Sequence, residues 1–184
     1  MKSTPLNKFL HIGMLILSWL IFIGLCMEFF GLLFYGIMKN VLTSESAAKI
    51  WTIVDLNALY QADKGWFGVM MLFIIIVAAL KVVMFYLILQ LLHHKTLDLS
   101  KPFSEVMSRF VKRLAFLALG IGLFSSWGYR YAEWLISTGY TLPSLLDIKL
   151  LGADIWLFMG IVLLVIAHMF KRGMEIQMEN ELTI

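Results

Sequence analysis

The sequence predicts an all-α membrane protein, a bundle of four transmembrane helices with amphipathic helices at the interfaces and both termini in the cytoplasm. Three observations predict it. Of the 184 residues, 61% are apolar and only 15% are charged, with a mean hydropathy of +0.87, whereas a soluble domain carries roughly 45–50% apolar and about 25% charged residues. Four apolar runs come near the ~20 residues a helix needs to cross the hydrocarbon core. The cations gather in alternate connecting segments, which sets an orientation.

The first run covers 10–38, preceded by Lys2 and Lys8 and followed by Lys39. A cleaved signal peptide has an apolar core of only about 7–15 residues ending at a small-residue site. This run is longer and closes on bulky residues such as Phe29, Phe30, Phe34 and Tyr35, so it is read as a retained helix. The remaining spans are 66–92, 114–136 and 153–170. They leave an outer loop at 39–65, a cytoplasmic loop at 93–113, a second outer segment at 137–152 and a cytoplasmic tail at 171–184, all within a single membrane domain over 1–184.

Orientation follows from the lysines and arginines. Nine lie on one side (Lys2, Lys8, Lys95, Lys101, Arg109, Lys112, Arg113, Lys171 and Arg172) and four on the other (Lys39, Lys49, Lys64 and Lys149). Short cytoplasmic loops hold the excess, which places both ends inside. The expected location is a bacterial cytoplasmic (inner) membrane.

Two connecting segments carry helix signals. In 39–65, Thr43, Ser44, Glu45 and Ser46 supply start chemistry, and Ala47, Ile50, Trp51 and Val54 follow at helical spacing, which predicts a short helix on the outer face. In 93–113, Pro102 suits the first helical position. Beyond it Phe103, Met107, Phe110 and Leu114 form an apolar stripe opposite Glu105, Ser108, Arg109 and Lys112, predicting an interfacial helix that runs into the third span.

Much chemistry is excluded. Cys26 is the only cysteine, so no intrachain disulfide forms. The net charge of +3 sits mainly at the flanks of apolar runs, where it signals topology and no direct nucleic-acid binding. No Gly-x-Ser-x-Gly, His-Glu-x-x-His or phosphate-loop pattern occurs; the protein is read as non-enzymatic and without cofactor. His11, His93, His94 and His168 share the cytoplasmic side. Paired histidines in a bundle can hold haem or zinc, but histidine is also comfortable at an interface, and no metal site is assigned.

Charges inside spans are costly, at roughly 2.5–3.5 kcal/mol each at mid-helix, and turn toward protein or a cavity. The candidates are Glu28, Lys81, Arg130 and Glu133. Depth estimates pair Glu28 with Arg130 and leave Lys81 nearer the cytoplasm, with Glu133 one turn from Arg130. As a functional group they would form a relay or an outward pocket in a small transporter or channel subunit. As a structural group they would fix helix packing, with Lys81 snorkelling; the neighbouring Trp127, Tyr129, Tyr131 and Trp134 have the look of an outer aromatic belt, which favours packing. Gly24, Gly120 and Gly122 are expected at close helix approaches.

After the last span, Met174, Met178 and Leu182 recur at helical spacing among Glu175, Glu179 and Glu181, so the span is expected to continue as an amphipathic helix. Its acidic residues complement Arg109, Lys112 and Arg113, and Phe103 and Phe110 are expected to pack on Met174 and Met178.

The four spans, the Lys101-Pro102-Phe103-Ser104 step and the ending Gly173-x-Glu175-Ile176-Gln177-x-Glu179-Asn180-Glu181-Leu182-Thr183-Ile184 together resemble the bacterial membrane family called domain of unknown function 2975. The likeness in layout covers nearly the whole chain; its specific part is those two segments. The family has no established activity, and many members are encoded beside a small helix-turn-helix regulator. The resemblance therefore implies a membrane partner of a DNA-binding protein and no catalytic residue. The docking residues expected on this basis are Pro102, Phe103, Arg109, Arg113, Glu175, Gln177, Asn180 and Glu181. The expected partners are the bilayer and a cytosolic regulatory protein, and a homo-oligomer is compatible with the sequence.

Overall fold

A computed structural model describes residues 5–41, 54–93, 104–144 and 147–181. Its elements are all helical: α1 (Pro5–Val41), a short α2 (Asn57–Ala62), α3 (Lys64–His93), α4 (Glu105–Ser137) and α5 (Ala153–Glu181). Three helices are long and apolar enough to cross a membrane: Ile12–Lys39 in α1, Lys64–His93 in α3 and Ala153–Glu179 in α5. The expected third span, 114–136, lies within α4, which is more polar and is not among these three.

Local chemistry explains the boundaries. Asp63 opens α3, its Oδ1 accepting from the amides of Gly65 at 2.6 Å and Trp66 at 3.0 Å, the usual service of an N-cap carboxylate. Ser104 caps α4, its hydroxyl accepting from the Met107 amide at 3.3 Å. The helix thus starts later than the proline-led start expected at Pro102, a residue outside those described. At the other end Gly139, at φ 96°, lets the amide of Tyr140 reach the Leu135 carbonyl and its own amide reach that of Ile136, a Schellman ending that stops the helix. The outer helix expected from Thr43 to Val54 lies almost wholly outside the described residues; α2 follows just after it, with Leu56 and Leu59 fully buried.

The helices pack in succession, α1 on α3, α3 on α4 and α4 on α5, with α2 also resting on α3. Among the described residues α1 touches neither α4 nor α5, so the bundle predicted from sequence is here an open layer of neighbours. Each pair is antiparallel. Phe22 meets Tyr86 and Gly36 meets Met71 between α1 and α3; Gly120 meets Leu80, and Trp134 meets Trp66, between α3 and α4.

The inner position of α4 follows from one stripe of small side chains. Ala115, Ala118, Gly122, Ser125, Gly128 and Ala132 recur every three or four residues and are all buried, and small residues let helix backbones approach closely. A methyl group on Gly122 would stand 2.7 Å from Leu157, and one on Gly160 would stand 2.7 Å from Leu119. Gly24, expected at a similar approach, has nothing within 4 Å of such a methyl, and Gly120 makes only an ordinary contact at 3.4 Å. The outer faces of α1 and α5 are apolar and exposed, with Phe30, Ile37, Phe158 and Met169 among them, as lipid-facing surfaces are.

These contacts also stagger α4 against α5. With Gly122 facing Leu157, α4 continues for about 22 Å to Ser137, while α5 starts only about 6 Å before Leu157. The described parts of the connecting segment, 138–144 and 147–152, make up the difference, with Leu150 set against Gly128 of α4. Ile148 and Leu150 are buried in the common core with Leu32, Tyr35 and Phe67. Leu150 fills the gap left by Gly128, which Phe73 of α3 also borders. Irregular backbone at helix depth is tolerated where protein covers it, and here α3 and α4 do so.

Candidate functional site

The returning loop carries a charge into the layer. Lys149, held at φ 56°, a left-handed conformation uncommon for a side chain of its size, places its ammonium 3.1 Å from the Glu28 carboxylate of α1. Glu28 is largely covered. Lys81 of α3 lies at the level of Glu28, since Phe22 of α1 stands opposite Tyr86 and the two helices run antiparallel. One cation, Lys149, pairs with the carboxylate, and a second, Lys81, stands at about the same level, where Leu80 meets Gly120.

This corrects the pairing expected from depth. Glu28 meets Lys149, not Arg130, because α3 lies between α1 and α4. Lys81 also proves to be at the level of Glu28. The depth estimate failed because, with Phe22 opposite Tyr86, the first ~15 Å of α1 project beyond the end of α3. Lys149 was missed by sequence reasoning, which counted it as a loop cation. The signal that could have found it is the apolar density around it, with Leu142, Leu145, Leu146, Ile148, Leu150 and Leu151 in a segment read only as an outer connection.

Arg130 and Glu133 are exposed and stand apart from that group. They line a cleft of about 590 Å³ above the start of α5, with Ser126, Tyr129 and Asp154, in the notch left by the stagger. Nearby rings form a cluster. Trp134 lies 5.2 Å from Trp66 and 5.9 Å from Tyr131, consistent with an aromatic belt at that level.

At the opposite end, α4 and α5 frame a groove of about 960 Å³ lined by Glu105, Ser108, Arg109, Lys112, His168, Lys171, Met174, Glu175, Gln177 and Met178. The tail is helical to Glu181, as its spacing predicted. Of the expected docking residues, Arg109, Glu175 and Gln177 meet here. Pro102 and Phe103 lie outside the described residues, as do the side chains of Asn180 and Glu181. Two of the charged residues expected to complement one another across the helices pair instead along their own helices. Arg109 pairs with Glu105 at 3.7 Å and Arg172 with Glu175 at 3.2 Å, each along its own helix. One link across is the Ser108 hydroxyl donating to the Ala167 carbonyl at 3.3 Å.

Phe110 is also turned away from Met174 and Met178. It lines a smaller cleft of about 340 Å³ on the α3 side, with Leu87, Gln90, Leu91, Val106, Arg109 and Arg113. Helical spacing gives the reason: Glu105, Ser108 and Lys112 share the face toward α5, leaving Val106, Phe110 and Arg113 toward α3. Among the described residues no group of three or more His, Cys, Asp or Glu side chains could hold a metal ion. His168 lines the α4–α5 groove; the side chains of His11 and His94 are outside the described residues.

Long apolar helices in antiparallel succession define an all-α multi-pass membrane protein. The chain belongs to the family described as "Protein of unknown function (DUF2975)", whose model matches residues 43–184. No curated protein and no solved structure matches it.

Proposed function

We propose that the chain is a non-enzymatic, four-span protein of the bacterial cytoplasmic membrane, one domain over 1–184 with both termini inside. Its α4–α5 groove docks a cytosolic regulatory protein of the helix-turn-helix kind. The fourth span in this reading is α4. It is supported by the packing of α4 between α3 and α5, two helices fit to cross, and by the antiparallel order, which returns the chain to its starting side only if α4 also crosses.

The observation that carries the docking role is the groove itself. It mixes the cations Arg109, Lys112 and Lys171 with Glu105 and Glu175 around Met174 and Met178, and methionine adapts its shape to a partner's surface. The competing reading, a small transporter or channel subunit, draws on the cleft with Arg130, Glu133 and Asp154. Transport needs polar groups along one path, and Glu28, Lys81 and Lys149 form a separate group reached across α3.

The test is capture of partners from detergent extracts by the full chain and by a chain lacking 173–184. The truncated protein should insert and fold yet lose its cytosolic partner. If it keeps that partner and its cellular phenotype, while Glu28→Gln or Arg130→Gln abolishes the phenotype in a folded protein, transport replaces docking.

A further inference from the structure

The smaller cleft between the end of α3 and the start of α4 shares Arg109 with the docking groove, but its other lining residues take no part in the groove. Its walls are apolar (Leu87 and Leu91 on α3, Val106 and Phe110 on α4), and its rim carries Gln90, Arg109 and Arg113. Arg109 and Arg113 lie one turn apart on a single face of α4. Arg109 has only a long, exposed contact with Glu105 at 3.7 Å, and Arg113 has no ion pair among the described residues. Two guanidiniums thus stand over an apolar trough where a membrane helix, α3, reaches its end at His93.

We infer that this cleft binds one anionic phospholipid, its phosphate bridged by Arg109 and Arg113 and the upper part of an acyl chain lying against Leu87, Leu91 and Phe110. Guanidinium presents paired donors that match phosphate oxygens, and basic clefts between helices on the cytoplasmic side are suited to anionic headgroups. Gln90 supplies a further polar contact for the glycerol or headgroup hydroxyls. The volume of about 340 Å³ admits a headgroup with the start of a chain and excludes a folded protein segment. The apolar walls distinguish the occupant from a free anion, which would leave them uncovered. The cleft is reached from the surface, since Val106 on its wall is exposed.

The experiment is native mass spectrometry of the full chain in detergent, where no bilayer surface attracts cations generally. Phosphatidylglycerol, phosphatidylcholine or inorganic phosphate is added to the delipidated protein. One phosphatidylglycerol should be retained with a preference of roughly tenfold over phosphatidylcholine, close to the weight of one or two basic groups. Arg109→Gln/Arg113→Gln should lose that preference, while Lys171→Gln/Arg172→Gln, an equal loss of charge on α5, should keep it. A wild-type protein that holds both lipids equally would overturn the proposal without any variant. So would an equal response to inorganic phosphate, or a preference lost equally in the two double variants.

Discussion

Lys149 and Glu28 meet at 3.1 Å, so a residue of the α4–α5 loop is bound to a helix that neither α4 nor α5 touches among the described residues. The contact is one of the ties that hold the first helix to the later half of the chain.

A double-mutant cycle measures it. Glu28 is 19% and Lys149 41% exposed, which puts the pair between exposed contacts, worth about 0–1 kcal/mol, and buried ones, where stranding a partner costs about 3–5 kcal/mol. Glu28→Gln and Lys149→Gln should each lower stability in detergent, and together they should recover about 1 kcal/mol of the summed loss. Glu28→Gln with Arg130→Gln should be additive. A coupling with Arg130 and none with Lys149 would reject the geometry.

The glycines give a sharper contrast. Gly122→Ala and Gly160→Ala put a methyl group 2.7 Å from leucine atoms and about 3 Å from a backbone nitrogen, so each should cost about 1–3 kcal/mol by overpacking. Gly24→Ala meets nothing within 4 Å and should be neutral or stabilising by about 0.5–1 kcal/mol through helix propensity. Thermal unfolding of the three variants checks this. Equal effects would mean that α4 and α5 are not in close approach.

How much of this was legible in the sequence depends on the range of the interaction. The helices α1, α3 and α5, and the continuation of α5 to Glu181, follow from apolar length and spacing, which are local properties. The stripe from Ala115 to Ala132 is also readable, although only Gly122 of the three glycines singled out proved critical. The partner of Glu28 was not readable. It depends on the stagger of α4 against α5 and on a loop that turns back beside α3, and neither leaves a periodic trace. The facing of Phe110 was lost for a similar reason, since an apolar stripe shows which side is buried but not which neighbour buries it.

The proposed topology has its own direct test. Reporter fusions after Lys101 and after Ile184 should report the cytoplasm, and fusions near Ser46 and Ser144 the outside, in line with nine cations against four. A Ser144 fusion that reported the cytoplasm would mean that α4 does not cross.

The returning loop can be tested through two adjacent leucines of opposite fate. Leu150 is 2% exposed and lies in the notch of Gly128 that Phe73 also borders, whereas Leu151 is 41% exposed on the rim of the cleft with Arg130 and Glu133. Removing a fully packed leucine side chain costs about 2–5 kcal/mol, because the lost contacts add to the cavity left behind, while an exposed one usually changes stability by no more than about 0.5 kcal/mol. Leu150→Ala should therefore destabilise strongly and Leu151→Ala hardly at all. The loss at Leu150 should also extend to its neighbour: once the loop is released, Lys149 no longer reaches Glu28, so adding Lys149→Gln to Leu150→Ala should cost less than Lys149→Gln alone. Equal costs for the two leucines would show that the loop lies outside the layer, and the Glu28–Lys149 pair would fall with it.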